Sequence, residues 1–199
     1  MNAVDPAEQN LEMLSTIARS IGHLRETLVF VGGCATGLLV TNVRAQPFCR
    51  WRRGEISVDL MPSSEGILGF HNRWYGLAVE TATQYVLPDG TKIKLVTTPV
   101  FVATKFEAFK DRGKGDYLAS HDLEDIITIV DGRGDFLNEI CRGPEELSRY
   151  LSGEFATLLA DRNFLDALPG HLSADSSSQR RIGQLMTRLR DLAALSRDD

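Results

Sequence analysis

Apolar residues recur at intervals of three and four positions, at Leu11, Leu14, Ile17 or Ala18, Ile21 and Leu24, and this spacing predicts an amphipathic amino-terminal helix. The periodicity then gives way to a continuous apolar run, LVFVGGCATGLLV over residues 28–40. Val29, Phe30 and Val31 suit a strand, Gly32 and Gly33 permit a tight backbone turn, and the small and apolar residues beyond them predict a helix starting under the strand. Further on, Ile56, Val58 and Leu60 alternate with Ser57 and Asp59, which predicts a hairpin over residues 49–61 turning near Gly54. A second hairpin is expected where Pro88-Asp89-Gly90 separates residues 83–87 from 91–96.

Helical spacing returns after that turn. Thr98-Pro99 forms a helix entrance, and TPVFVATKFEAFKDRG is expected to be helical up to Gly113. On this helix Lys105 emerges beside an otherwise apolar face, with Arg112 two turns further on. Ser120 is placed to cap a following helix, SHDLEDIITIVDG, in which Leu123, Ile126, Ile127 and Val130 form the apolar side. Asp122 and Asp125 share one side of it at i and i+3; acids near a helix start most simply complement the helix dipole. Residues 132–135 mark a small boundary. Beyond it, PEELSRYLSGEFATLLAD, DRNFLDALPG and residues 178–195 predict one long, one short and one further amphipathic helix. The expected architecture is an α/β (α+β) unit over residues 1–132, a mixed sheet flanked by helices, followed by a helical region over 133–199.

Composition narrows the classes of function. At 43% hydrophobic and 25% charged, the 199-residue chain falls among folded globular proteins and away from disorder. A net charge of -5 predicts no broad basic face for duplex nucleic acid, while leaving room for a local basic pocket. No apolar stretch approaches the ~18 residues of a membrane span, and no positive segment followed by an apolar core marks a signal peptide, so no membrane association is expected and the cytoplasm is the default. Cys34, Cys49 and Cys141 have neither disulfide-framework nor zinc spacing, as in a reducing compartment.

The glycine turn has two readings: the strand-to-helix junction of any α/β core, or a phosphate cradle made by amide groups at a helix start. Gly32, Gly33 and Gly37 do not spell the dinucleotide fingerprint, and no Walker lysine and hydroxyl pair follows them. Cys34, set in an apolar context, reads as a small core residue. Trp74 also reads as core, with Tyr75 beside it either in the core or lining a pocket. His71 has no neighbouring metal-ligand spacing. Arg50, Arg52 and Arg53 read as an exposed basic hairpin edge. Glu55 shares the side of Asp59, but about 13 Å away along the strand, too far for both to hold one ion.

Taken together, FVGGCATGL, CRWRRGEISVDLMPSSEGILGFHNRWY, LPDGTKIK and ATKFEAFKDRGKGDYLASHDLEDI resemble the AbiEii/AbiGii toxin group of nucleotidyltransferase-like proteins, the enzyme half of a bacterial toxin-antitoxin system. The resemblance covers residues 28–130 and implies a polymerase-beta-like nucleotidyltransferase core. It implies a nucleoside triphosphate and Mg2+ as cofactors, an antitoxin as partner, and RNA or protein as acceptor. Carried over residue by residue, it makes Gly32, Gly33 and Cys34 the nucleotide cradle, with Cys34 where many relatives have serine. Asp59 becomes the metal-binding and catalytic strand carboxylate. Lys105 and Arg112 become the phosphate-neutralising cations, and Asp122 and Asp125 the acids that organise the site.

The sequence departs from that family in one interval. Where the family presents an aspartate pair separated by one residue, TNVRAQPF runs directly into CRWRRGE, and residues 32–54 contain no carboxylate. Two-metal phosphoryl transfer depends on grouped carboxylates. Two functions therefore stand side by side: transfer of a nucleotidyl group, or a degenerate nucleotidyltransferase fold that binds a nucleotide or a protein. A shortened sheet would also leave an edge that a second copy of the chain, in a homodimer, could cover.

Overall fold

The computed structural model of the protein describes residues 6–40, 72–113, 115–172 and 175–195. The hairpin expected over 49–61, with Asp59, Glu55 and the three arginines, lies outside the described residues, as does His71.

The chain is a mixed α/β protein, mostly helical, with a small three-stranded mixed sheet. Helix α1 (Pro6–Ser20) is followed by a 3-10 turn (Gly22–Glu26), strand β1 (Val29–Phe30) and helix α2 (Gly33–Leu39). Helix α3 (Tyr75–Thr81) precedes the hairpin of β2 (Thr83–Val86) and β3 (Lys92–Leu95). Seven further α-helices, with a second 3-10 turn (Leu168–His171) after α8, complete the described chain: α4 (Thr98–Arg112), α5 (His121–Gly132), α6 (Phe136–Cys141), α7 (Glu145–Ala160), α8 (Arg162–Ala167), α9 (Ser176–Gln179) and α10 (Ile182–Ala194).

Strand order is β1-β3-β2. The hairpin forms as its turn residues dictate, with Gly90 at φ 82° and Gln84 opposite Lys94. β1 runs parallel to β3, Val29 opposite Lys94 and Phe30 opposite Leu95. In β3 the alternation is plain: Ile93 and Leu95 are buried, Lys92 and Lys94 exposed. Leu14 and Ala18 of α1 pack with Leu87 and Ile93, so this helix covers the sheet as its spacing predicts. It does not continue to Leu24. Gly22, at φ 57°, turns the chain into the 3-10 segment and leaves Leu24 exposed.

Helix α4 is the central element. Thr98 through Phe106 are all buried, together with Ala108 and Phe109, because α3, α5, α6 and α7 pack around it. Its N-cap is Thr97, one residue before the expected entrance, and Pro99 occupies the first turn, where its missing N–H costs nothing. One cluster of buried side chains among the described residues runs from Ala35 and Leu39 through Val100, Phe101 and Phe106 to Leu185, Leu189 and Leu192. The carboxyl-terminal helices thus share a core with α2, α4 and α5.

Three elements differ from the sequence reading. α3 and α6 are short helices whose six or seven residues give too little periodicity to register. The helix expected over 178–195 is interrupted at Arg180-Arg181 into α9 and α10. Arg181 there pairs with buried Asp131 at 2.9 Å, and Arg188 of α10 donates to the carbonyls of Val130 and Asp131. Arg188 thus satisfies two of the last carbonyls of α5 and Arg181 neutralises its Asp131 side chain, and both complement the helix's negative end, fixing the helix that carries the acidic residues of the site.

Candidate functional site

The site is assembled on the amino-terminal turns of α5, the outward side of α4 and the first turns of α2. Lys105 is buried among the apolar residues of α4, 8% exposed. Its ammonium lies 2.5 Å from Asp125 Oδ2 and 3.1 Å from Asp122 Oδ1. The Phe101 ring lies one turn back, its centroid 5.6 Å from Nζ. Burial opposes the charge on Lys105, but Asp125 and Asp122 outweigh it and hold the ammonium above its ordinary pKa.

Arg112 grips the other side of Asp122. Its Nε donates to Oδ2 at 2.7 Å and an Nη to Oδ1 at 2.8 Å, a bidentate fork. Desolvation works against the Asp122 carboxylate, yet the Arg112 hydrogen bonds and Lys105 keep it below its usual range. Arg112 is itself pushed up, first by its hydrogen bonds to Asp122. The acids that read as helix-dipole features are therefore partners of a buried cation, Lys105, and of an exposed one, Arg112. α5 is held at this end by Ser120, whose hydroxyl accepts from the Leu123 amide. Its connection to α4 is ordered by Asp116, which accepts from the amides of Leu118 and Ala119, and by the Tyr117 hydroxyl donating to Asp161.

The glycine turn joins the same cluster. Thr36 Oγ1 donates to Asp125 Oδ1 at 2.7 Å, and a Cβ on Gly33 would stand 3.5 Å from Asp125 Oδ2. Gly32, Gly33, Lys105, Arg112, Asp122 and Asp125 are thus brought to one place by three helices. The Cys34 side chain and Asp59 lie outside the described part of the structure. The two glycines have different duties. Gly32 sits at φ 109°, where a side chain is strained, while Gly33 is helical and has room for a Cβ. Gly32→Ala is expected to cost about 1–3 kcal/mol and Gly33→Ala under about 1 kcal/mol, read from urea unfolding midpoints; equal losses would contradict this division.

The donor inventory defines what the cluster can do. Lysine has three N–H donors and arginine five. Two on Lys105 and two on Arg112 are engaged by the aspartates, so one and three have no partner among the described residues. All four carboxylate oxygens, by contrast, are engaged: those of Asp122 by Lys105 and Arg112, those of Asp125 by Lys105 and Thr36. The arrangement presents oriented cations with unused donors, which suits an anion. Helix α2 is only two turns long, so its dipole adds little and the positive charge comes from Lys105 and Arg112.

Magnesium, which the resemblance implies, does not find its ligands in this set. Among the described residues no three His, Cys, Asp or Glu side chains are grouped to hold a metal ion. The aspartates that are grouped already face ammonium and guanidinium.

Thr36 was not legible as a site residue. Its signal is a threonine in the apolar run CATGLLV that is completely buried, where a hydroxyl needs a partner. Trp74 is core, as its size predicts, at 4% exposed. Tyr75, by contrast, is half-buried, and burial holds its phenol above the ordinary tyrosine range. No helix among the described residues is long and apolar enough to cross a membrane. Compared with protein-family models, curated proteins and solved structures, the chain has no match.

Proposed function

We propose that the cluster is the phosphate-binding part of a nucleoside triphosphate site, in a polymerase-beta-like nucleotidyltransferase core of the AbiEii/AbiGii kind. One observation carries the reading: Lys105 is fixed between two aspartates, one of which is tied to the first turn after the glycine pair, with Arg112 forked onto the other. Two pre-oriented cations beside a glycine turn suit a polyphosphate, because their geometry is set before the ligand arrives. In this reading Asp122 and Asp125 orient the cations.

Transfer would proceed by attack of an acceptor hydroxyl, on RNA or protein, at the α-phosphorus. The new P–O bond forms as the α–β bridge breaks; pyrophosphate leaves against Lys105 and Arg112, and Asp59 takes the hydroxyl proton. The chain would then be the toxin of a toxin-antitoxin pair. The second reading, a module that binds the nucleotide without transferring it, is favoured by the engagement of all four oxygens of Asp122 and Asp125 and by the missing aspartate pair.

Calorimetric titration with each of the four ribonucleoside triphosphates, with and without magnesium, tests the site. Binding by the wild type and a loss of about a hundredfold in Lys105→Ala are expected; wild-type protein that binds none of the four refutes it. Transfer of α-labelled nucleotide to RNA or protein separates the two readings. Asp59→Ala should abolish transfer and leave binding intact, and undiminished transfer by the folded variant removes Asp59 from the chemistry.

A further inference from the structure

Lys105 stands where a bridging cation would stand between Asp122 and Asp125. Its Nζ lies 2.5 Å from Asp125 Oδ2 and 3.1 Å from Asp122 Oδ1, so two carboxylates one turn apart on α5 converge on one nitrogen. The other oxygen of each is also taken, by Thr36 Oγ1 at 2.7 Å and by Arg112 Nε at 2.7 Å. The lysine side chain is 10% exposed, and Phe101 and Phe109, four positions before and after it on α4, are buried. Displaced from the aspartates, the ammonium would be an unpaired charge among apolar groups. Magnesium demands a different setting, near-octahedral oxygens at about 2.0–2.1 Å that include several waters. A divalent ion added to these four side chains would find every carboxylate oxygen already engaged and would face two cations.

We propose that the Lys105 ammonium replaces a divalent cation between these aspartates, and that the site therefore takes its polyphosphate in the magnesium-free form; the second part rests on the triphosphate reading above. Lys105, Arg112, Asp122 and Asp125 balance in charge, so the ligand is held chiefly by donors. These are the one N–H of Lys105 and the three of Arg112 that have no partner among the described residues. A polyphosphate chelated to magnesium meets them with two fewer negative charges and with some of its oxygens already on the metal. Free polyphosphate keeps both. Only Asp122 and Asp125 are withdrawn from metal binding in this way; an ion held by other residues would be a separate site.

In titrations with inorganic tripolyphosphate, wild-type protein should bind about tenfold more weakly in excess magnesium than in EDTA. Equal or tighter binding with magnesium overturns the proposal and leaves the triphosphate site standing. Wild-type protein that binds in neither condition fails the triphosphate reading and the magnesium-free half with it. A second measurement needs no phosphate ligand. Lys105→Ala vacates the space of the ammonium, frees Asp125 Oδ2 and leaves Asp122 Oδ1 with Arg112 alone. Manganese, which suits carboxylate ligands, should then raise the urea midpoint of Lys105→Ala more than that of wild type, and adding Asp125→Asn should remove the difference. No gain in Lys105→Ala over wild type overturns the replacement. Should Lys105→Ala not fold, water-proton relaxation with manganese decides on wild type and Asp125→Asn: the same manganese binding by both, or none by either, is expected, and binding that is lost in Asp125→Asn overturns the proposal.

Discussion

Lys105→Ala should lower stability at pH 7 by about 3 kcal/mol and weaken triphosphate binding about a hundredfold under the same conditions. The magnitude follows from what the substitution leaves behind. Asp122 and Asp125 have side chains 6% and 13% exposed, and Lys105 is the only cation that bridges them among the described residues. Removing one partner of a buried ion pair leaves an uncompensated charge, which costs more than the pair contributes. Asp122 retains Arg112, so Asp125, left with the Thr36 hydroxyl, bears most of the loss.

The pH dependence distinguishes this cause from lost packing. In the wild type, Asp122 is held below the ordinary aspartate value of 3.8 despite burial, so its contribution is present above that pH and is lost as pH falls through the native value. Lys105 is held above 10.5, so its contribution is complete below that pH and is lost as pH rises through the native value. Between about pH 5 and pH 9 the wild-type cluster should contribute a constant amount. In Lys105→Ala, protonation relieves the carboxylate that has lost its cation, so the stability deficit should shrink as pH falls from 7 toward 4.5. Urea unfolding at the two pH values checks this; a deficit independent of pH would assign the loss to packing. Adding Asp125→Asn should restore part of the stability without restoring binding, because the buried charge is gone and so is the ammonium. A double variant that regained triphosphate affinity would remove Lys105 from the site.

Much of this arrangement is legible in the sequence, for reasons that differ from residue to residue. Lys105 stands out because a lysine in the run TPVFVATKFEAF interrupts an apolar surface. Ser120 and the i, i+3 spacing of Asp122 and Asp125 place both acids on one side of α5. Gly32 and Gly33 mark a turn because nothing else does so cheaply. What spacing does not give is the long-range pairing. Asp122 and Asp125 read locally as ordinary acids at a helix start, and only the packing of α4 on α5 converts them into partners of Lys105. Thr36 is similarly silent, since its partner lies 89 positions away. Arg188 and Arg181 look like the solvated face of a carboxyl-terminal helix, yet they reach the end of α5 and fix it. The short helices α3 and α6 escape because two turns hold too few apolar positions to define a period.

Phe106→Ala should be the most damaging core substitution, at about 3–5 kcal/mol. Phe106 is 1% exposed on α4 and meets Phe155 of α7 edge to face, with centroids 5.1 Å apart and planes at 83°. The truncation removes most of an aromatic side chain from the middle of the shared core, and the fixed helices around α4 have little freedom to collapse into the space. An edge-to-face pair adds about 0.5–1.5 kcal/mol beyond area, so a double-mutant cycle between Phe106→Leu and Phe155→Leu should show coupling of that order. For a chain of this size the alanine substitution corresponds to a drop in melting temperature of about 6–20 °C. Because α4 and α7 are joined through one buried cluster, the α/β elements and the carboxyl-terminal helices should lose structure together. Two probes check this: the near-ultraviolet signal of Trp74, set between α4 and α7, and amide exchange in α10. Melting of α10 well before the Trp74 signal changes would mean that the shared cluster does not couple the two regions. Phe106→Leu, which retains most of the volume, should cost less than about 1.5 kcal/mol and preserve triphosphate affinity, since the residue neighbours Lys105 in sequence but packs toward α7.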